Sequence, residues 1–330
     1  MNSDDEAGPP PPPTPRPGAS IFTIEGRAAP GLFVVGWLAT LLGLGLLLVG
    51  ALAPSGLFFY FVGPALLTIG LVAGSGSQTI ERRARGEAYS GPSPYLVFAA
   101  TIAAVYTVGS ALGLGLHLAL GSTTLPGYLV RLIGVAVQAA VFIGIVRLTV
   151  VDSRALSWRD MGWRRPDALA IRELGSGALL ALPIIGLTSI VAAIVVQLFD
   201  AVPEAPLPPT GIAVGLVVQL LAGAIIAPIA EETVFRGFAI SAWQRTVGAR
   251  GAIVRSSLLF ALAHVLNVTA DNSGQAIGLI VVGFVTRLPV AFALGWLFVA
   301  RRSIWAPLGL HIAFNAILLV IGELAASAAR

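Results

Sequence analysis

The sequence predicts an all-α fold, a polytopic transmembrane helical bundle of about nine spans. Of its 330 residues, 56% are hydrophobic and only 11% are charged, and the mean hydropathy is +0.89. Soluble globular proteins carry about 25% charged residues, so this chain has too few to cover a water-facing surface. In lipid every backbone polar group must be bonded internally, and at this apolar level helices are the expected solution.

Charge and cysteine content exclude several classes of function. All 20 basic residues are Arg, and the formal net charge is +4. Because the Arg are spread over short loops between apolar segments, they indicate membrane topology rather than a nucleic-acid surface. The absence of Cys excludes disulfides, iron–sulfur clusters and thiol nucleophiles. We therefore expect a lipid bilayer, and no nucleic acid, among the partners.

The first segment of the chain differs in composition from the rest. Residues 1–28 combine an acidic start with a proline run from Pro9 to Pro13. This segment has too little apolar surface to fold alone, so we expect a disordered, proline-rich cytoplasmic tail. The alternative is a ligand for a proline-binding domain.

Apolar segments of spanning length, about 20 residues each, follow the tail. We assign 29–205 to N-terminal transmembrane helices and 206–325 to a second membrane domain. The first two spans are joined by a turn at 54–56. Arg287 and Pro289 lie in the middle of the eighth span, which is therefore either kinked or broken, and a break would leave eight spans. The predicted spans are 31–53, 55–75, 94–119, 127–150, 175–199, 211–237, 252–268, 276–300 and 303–325.

The positions of the Arg residues predict the orientation. Loops after the second, fourth, sixth and eighth spans contain Arg, whereas 120–126, 200–210 and 269–275 contain none. The positive-inside rule then predicts a cytoplasmic N-terminus.

A chain without Lys and rich in Ala, Gly and Arg suggests a bacterium, and hence its plasma membrane. Residues 152–174 mix Trp with Arg and are predicted to form an interfacial segment at the headgroups.

Ionisable residues inside a span cost at least ~2.5–3.5 kcal/mol on insertion scales, so each needs an explanation. Glu231, Glu232 and Arg236 lie near the cytoplasmic end of the sixth span. Glu232 and Arg236 are four residues apart with the acid first, which favours an ion pair. Glu231 is rotated by about 100° from Glu232 around the helix axis, so its side chain can point toward other helices. One carboxylate is thus expected to be neutralised and the other free; snorkelling charges at a helix end are the alternative.

Two further polar clusters lie in later spans. His264 is in the seventh span, and His311 and Asn315 are four residues apart in the ninth, on one helix face. Taken singly, each fits polar packing between membrane helices. Together with the Glu pair they supply a base for water, a group that positions it and donors for an oxyanion, which is a complete set for hydrolysis.

These clusters resemble the motifs of a known family. Glu231-Glu-Thr-Val-Phe-Arg-Gly237, Phe260-Ala-Leu-Ala-His264 and His311-Ile-Ala-Phe-Asn315 are similar, in order and spacing, to those of the CPBP (Abi, CAAX prenyl protease type II) intramembrane endopeptidases. The likeness covers about residues 210–320. It implies hydrolysis of a peptide bond near the cytoplasmic face, in CAAX-type processing or related protein maturation.

The resemblance also implies a role for each motif residue. Glu231 and His264 correspond to the residues that activate the water. His311 and Asn315 correspond to those that stabilise the oxyanion. The substrate would be a protein or peptide, prenylated or otherwise membrane-bound.

Glu232 and Arg236 are the supporting residues that the resemblance implies. The family has long been called metalloproteases, so the choice between a glutamate-dependent and a zinc mechanism stays open at this point. The chain lacks His-Glu-x-x-His, and no predicted helix offers two His at ligand spacing. A zinc ion would need Glu231, His264 and His311, from three different helices.

Two other function classes stay open from the sequence. One is a non-catalytic membrane scaffold or bacteriocin self-immunity protein that keeps the same fold. The other is a transporter, which also places Glu, Arg and His at the middle of the membrane.

Overall fold

The computed structural model describes residues 23–52, 57–121, 125–203 and 207–328. Within these ranges it is helical without strands, and eight of the described helices are long and apolar enough to cross a membrane. The predicted polytopic helical bundle is therefore confirmed. Most of the predicted tail, the turn at 54–56 and parts of two loops without Arg lie outside the described residues.

The described part of the bundle contains α-helices interrupted by short π-helical segments. The π-helical segments are Arg147–Val151, Leu220–Ile226 and Thr233–Ile240. The α-helices are α1 (Pro30–Leu52), α2 (Leu57–Ala84), α3 (Pro94–Leu120), α4 (Gly127–Val146), α5 (Ala168–Leu179), α6 (Ala181–Phe199), α7 (Ala213–Gln219), α8 (Ala227–Glu232), α9 (Ser241–Ala263), α10 (Ser273–Arg301) and α11 (Trp305–Ala328).

The eighth predicted span is one continuous helix. α10 runs through Arg287 and Pro289, so the break that these two residues suggested is absent. The eight described helices of spanning length are one fewer than the nine predicted spans because residues 213–263 form a single run of helix. This run covers the sixth and seventh predicted spans.

The run 213–263 reverses direction at Gly248. The backbone there has φ 74° and ψ 175°, a conformation that is essentially restricted to glycine. Beyond it the chain returns along itself. The Ser256 hydroxyl donates to the carbonyl of Phe235 at 2.7 Å, and the rings of Phe235 and Phe260 meet edge to face with centroids 5.2 Å apart. These residues therefore form a helical hairpin, and its two arms account for two of the nine predicted spans.

Large apolar side chains cover the outside of the bundle. On α1 and α6, for example, Leu48, Leu52, Ile190 and Leu198 are all more than half exposed. Contiguous apolar faces of this size are rare on soluble monomers. Contact with lipid hydrocarbon is the environment that suits them.

The predicted interfacial segment, 152–174, packs into the Arg-rich end of the bundle. Met161 is completely buried, and its carbonyl oxygen lies 3.1 Å from where a Cβ on Gly237 would be. The backbone N–H of Ile304 donates to the carbonyl of Gly162 at 3.2 Å. This loop therefore closes the Arg-rich end, and its level relative to the headgroups stays a prediction.

Two glycines allow α5 and α11 to cross at close range, and α11 carries His311. Gly177 lies directly against the carbonyl oxygen of Ala306, and Gly309 against that of Leu174. Small residues permit this close approach between membrane helices. The depth at which His311 lies in the bundle therefore depends on Gly177 and Gly309, two positions where a larger side chain does not fit.

We predict that Gly177→Ala lowers the melting temperature of the purified protein in detergent and that Gly175→Ala does not. A Cβ at Gly177 would overlap with the backbone of Ala306, which cannot move aside. A Cβ at Gly175, on the same helix, would have no neighbour within 4 Å. Overpacking typically costs ~1–3 kcal/mol. Equal melting temperatures for the two variants would contradict the described helix crossing.

Candidate active site

The two adjacent glutamates end a short α-helix that lies between two π-helical segments. α8 has six residues, and Glu231 and Glu232 are the last two. Pro228, near its start, has no N–H to donate, which interrupts the regular hydrogen-bond ladder. π turns are rare and occur frequently at functional sites. The apolar pattern of this stretch does not reveal them, because they change the helix period only locally.

Glu232 is fully buried and accepts two hydrogen bonds at the same oxygen. Its Oε1 accepts from Arg236 Nη1 at 3.0 Å and from His311 Nδ1 at 2.7 Å. Arg236 is also buried; its Nη2 donates to the carbonyl of Ala291 at 3.3 Å, and its guanidinium lies 4.3 Å from the ring centre of Phe260. The ion pair that the sequence spacing favours is present, and it connects the hairpin to α10 and α11.

This contact determines how the His311 ring is oriented. A carboxylate that pairs with Arg can only accept, so the Nδ1 of His311 carries a proton. Its Nε2 is then directed toward the other glutamate, 3.6 Å from Glu231 Oε2. That nitrogen presents a lone pair when the ring is neutral and an N–H when the ring is doubly protonated.

Glu231 points away from Glu232 and toward a second imidazole. Its Oε2 lies 3.9 Å from His264 Nε2. The Nδ1 of His264 donates to the carbonyl of Phe260 at 2.8 Å, so Nε2 of the neutral ring is an acceptor. The distance between Glu231 and His264 is too long for a direct hydrogen bond. It is short enough for one water molecule to contact both groups.

Asn315 follows His311 by one turn on α11. Its Nδ2 donates to the carbonyl of Gly223 at 2.8 Å, in the π-helical segment that precedes α8. One of the two amide N–H groups is therefore used in packing, and the other remains available.

The six residues predicted from the sequence come together around one cavity of about 1530 Å³. This is larger than typical small-molecule sites of roughly 300–1,000 Å³. α3 and α4 also contribute to its wall, through residues such as Val105 and Gln138. Two of the six, Glu232 and Arg236, lie behind the wall and contact the lining. The four that line the cavity are Glu231, His264, His311 and Asn315.

The cavity extends from the imidazoles toward one end of the bundle. There it is lined by loop 265–271 and by described residues of 202–209, and neither stretch contains Arg. At the other end, buried side chains such as Phe238 and Trp243, together with Met161, fill the space between the helices. The cavity therefore faces away from the Arg-rich loops.

One buried carboxylate beside the cavity was missed from the sequence. Glu323, on α11, is 7% exposed and accepts backbone hydrogen bonds from Thr210, at 2.8 Å, and from Gly211. It holds the loop before α7 against the cavity wall. An isolated acid within the last apolar segment was the available signal, but the partner is a backbone more than one hundred residues away.

Among the described residues, no group of three or more His, Asp or Glu side chains is placed to hold a metal ion. This includes the set that zinc would need, which is Glu231, His264 and His311. The described residues thus offer a carboxylate, two imidazoles and an amide as the chemical groups of the site.

Fold and site together define a polytopic membrane protein whose helices enclose a polar site suited to hydrolysis. Residues 213–317, about a third of the chain, match the model of the family described as Rce1-like, type II CAAX prenyl endopeptidase Rce1-like. The match confirms the resemblance that the three motifs indicate. Residues 213–317 are therefore similar to the domain of this family, whose description is that of a prenyl endopeptidase. Neither the curated proteins nor the solved structures give a match.

We predict that the cavity is reached from the face opposite the Arg-rich loops. Because the chain has no Cys, single cysteines can report accessibility in sealed vesicles of both orientations. Ser110→Cys in the cavity and Asp271→Cys in the loop should react with a membrane-impermeant maleimide from the same side. Arg83→Cys, in an Arg-rich loop, should react from the other side. Labelling of Ser110→Cys only from the Arg83 side would contradict the described opening.

Proposed function

We propose that the protein is a glutamate-dependent intramembrane endopeptidase in which Glu231 is the general base. One observation carries the proposal. A single oxygen of Glu231 faces the Nε2 atoms of His311 and His264, at 3.6 and 3.9 Å, in a cavity inside the bundle. The family match supports hydrolysis of a peptide bond as the reaction.

The attacking water lies between Glu231 and His264 in this proposal. Glu231 removes one proton as the water oxygen attacks the carbonyl carbon of the substrate. The lone pair on His264 Nε2 accepts the second hydrogen and so orients the water. General base catalysis of this kind contributes roughly 10²–10⁴-fold to the rate.

The oxyanion of the tetrahedral intermediate is stabilised by His311 and the free N–H of Asn315. His311 can donate from Nε2 only when it is doubly protonated, because its Nδ1 proton is directed at Glu232. Loss of one oxyanion donor typically costs ~2.7–4 kcal/mol of transition-state stabilisation. Glu231 finally returns its proton to the leaving amine.

The substrate in this proposal is a membrane-bound protein or peptide, handled by CAAX-type processing or a related maturation, in a bacterial plasma membrane. Cleavage near the cytoplasmic face was expected from the sequence. The geometry supports that expectation only in part. His311 lies within two turns of the Arg-rich end of α11, but the cavity reaches it from the other end. We therefore place the bond at the depth of His311 and the entry of the substrate at the end without Arg.

We predict that Glu231→Gln lowers the rate of cleavage at least ~10²-fold and leaves the melting temperature unchanged. The assay uses purified protein in detergent with a prenylated CAAX peptide and a panel of membrane proteins. Glu87→Gln, which changes an exposed carboxylate that does not line the cavity, is the matched control and should cleave like wild type. A chelator should have no effect.

Cleavage by Glu231→Gln at the wild-type rate would overturn the assignment of the base. Loss of wild-type cleavage on adding a chelator would return a metal to the mechanism. If wild type cleaves nothing and a cellular phenotype survives Glu231→Gln, the scaffold or immunity alternative is favoured instead.

A further inference from the structure

Arg287 is a cation in the middle of a membrane span, fourteen residues from the C-terminal end of α10 at Arg301. Ionisable residues at such positions are rare and usually line an ion or substrate path or pair with another charge. Two explanations for such a residue are that it marks a helix break or that it pairs with a carboxylate of the site. α10 is continuous, so the first explanation does not apply.

The second explanation does not apply either. Within the described part of the chain, Arg287 forms no ion pair with a carboxylate. Its Nη1 donates to the carbonyl of Gly283, one turn earlier on the same helix, at 2.6 Å. The guanidinium interacts electrostatically with Glu231 and His264, which places it near both side chains but outside ion-pair distance of Glu231.

Arg287 and Gly283 both line the same cavity as the four candidate site residues. The bond to Gly283 uses one of the five N–H donors of the guanidinium and holds one edge of it against the helix. The other donors have no described protein partner. Arg287 therefore presents a charged, planar set of donors to a cavity large enough for a peptide.

The ligand that this geometry fits is a carboxylate. A guanidinium matches the two oxygens of a carboxylate with parallel hydrogen bonds, and it stays charged when partly desolvated. Such a contact is strong in a site shielded from water. A peptide offers carboxylates from two sources, its C-terminus and its acidic side chains.

We propose that Arg287 is the specificity-determining residue that binds a carboxylate of the substrate next to the scissile bond. This inference rests on the proposed function for its biological meaning, since the ligand is the peptide that Glu231 hydrolyses. It goes beyond that function because it selects substrates with a carboxylate a short distance from the bond that is cut.

The test compares otherwise identical prenylated peptides with a free carboxylate or an amide at the C-terminus, and with Glu or Gln at an internal position. Wild type, Arg287→Gln and Arg287→Lys are compared, with Arg301→Gln as the matched control. Arg301 is an exposed Arg at the end of the same helix. Melting temperatures confirm that each variant is folded.

We expect the KM of wild type to be roughly tenfold to a hundredfold lower for one carboxylate-bearing peptide than for its neutral counterpart. This ratio corresponds to the strength of a hydrogen bond to a charged group. Arg287→Gln should remove this preference while kcat changes little. Arg287→Lys should retain part of it, and Arg301→Gln all of it. The position of the preferred carboxylate identifies its source. A wild-type enzyme that does not discriminate, or a preference that survives in Arg287→Gln, overturns the proposal.

Binding measurements separate this proposal from the proposed function. The same peptides are titrated onto Glu231→Gln protein and onto Glu231→Gln/Arg287→Gln protein, neither of which needs to turn over. Absence of cleavage by wild type would count against the peptidase. Tighter binding of a carboxylate peptide that depends on Arg287 would still support the subsite. Equal affinity for carboxylate and amide peptides would overturn it.

Discussion

The described site depends on one buried oxygen, Oε1 of Glu232, which accepts hydrogen bonds from both Arg236 and His311. These three side chains come from two different parts of the bundle, the hairpin and α11. Removal of one partner from a buried ion pair typically costs ~3–5 kcal/mol, because a charge is left unpaired. The contact therefore sets the position of α11 relative to the hairpin, and with it the position of the His311 ring.

Stability alone does not account for this arrangement. Within the described residues, Glu232 Oε2 and Arg236 Nε are buried without a hydrogen-bond partner, and each such group carries a desolvation cost of about 1–3 kcal/mol. Apolar residues of similar size would often be equally stable at a buried ion pair. The network is better explained by what it does to its neighbours. It leaves Glu231 free of a direct hydrogen bond to a basic side chain within the described residues, and it turns Nε2 of His311 toward Glu231.

Much of this could be predicted from the sequence because it depends on local periodicity. Apolar runs indicated the helices, and the spacing of Glu232 and Arg236 indicated their pair. The 100° between adjacent helical positions separated Glu231 from Glu232. What could not be predicted depends on contacts between distant segments. These include the bond between His311 and Glu232, the anchoring of a loop by Glu323, and the direction in which the cavity extends. The reversal near Gly248 agrees with the loop between the sixth and seventh predicted spans. The π turns were missed because a proline in an apolar run has several structural meanings.

The central claim, that Glu232 acts through His311, is tested most directly by a double-mutant cycle on kcat/KM. Glu232→Gln, His311→Gln and the double variant are compared with wild type, after the folded fraction of each has been isolated. If Glu232 acts by orienting His311, the double variant loses no more activity than the more severe single variant, because the effects of residues that act as one unit do not add. Losses that multiply would show that the two residues act independently, and would contradict this account of the site.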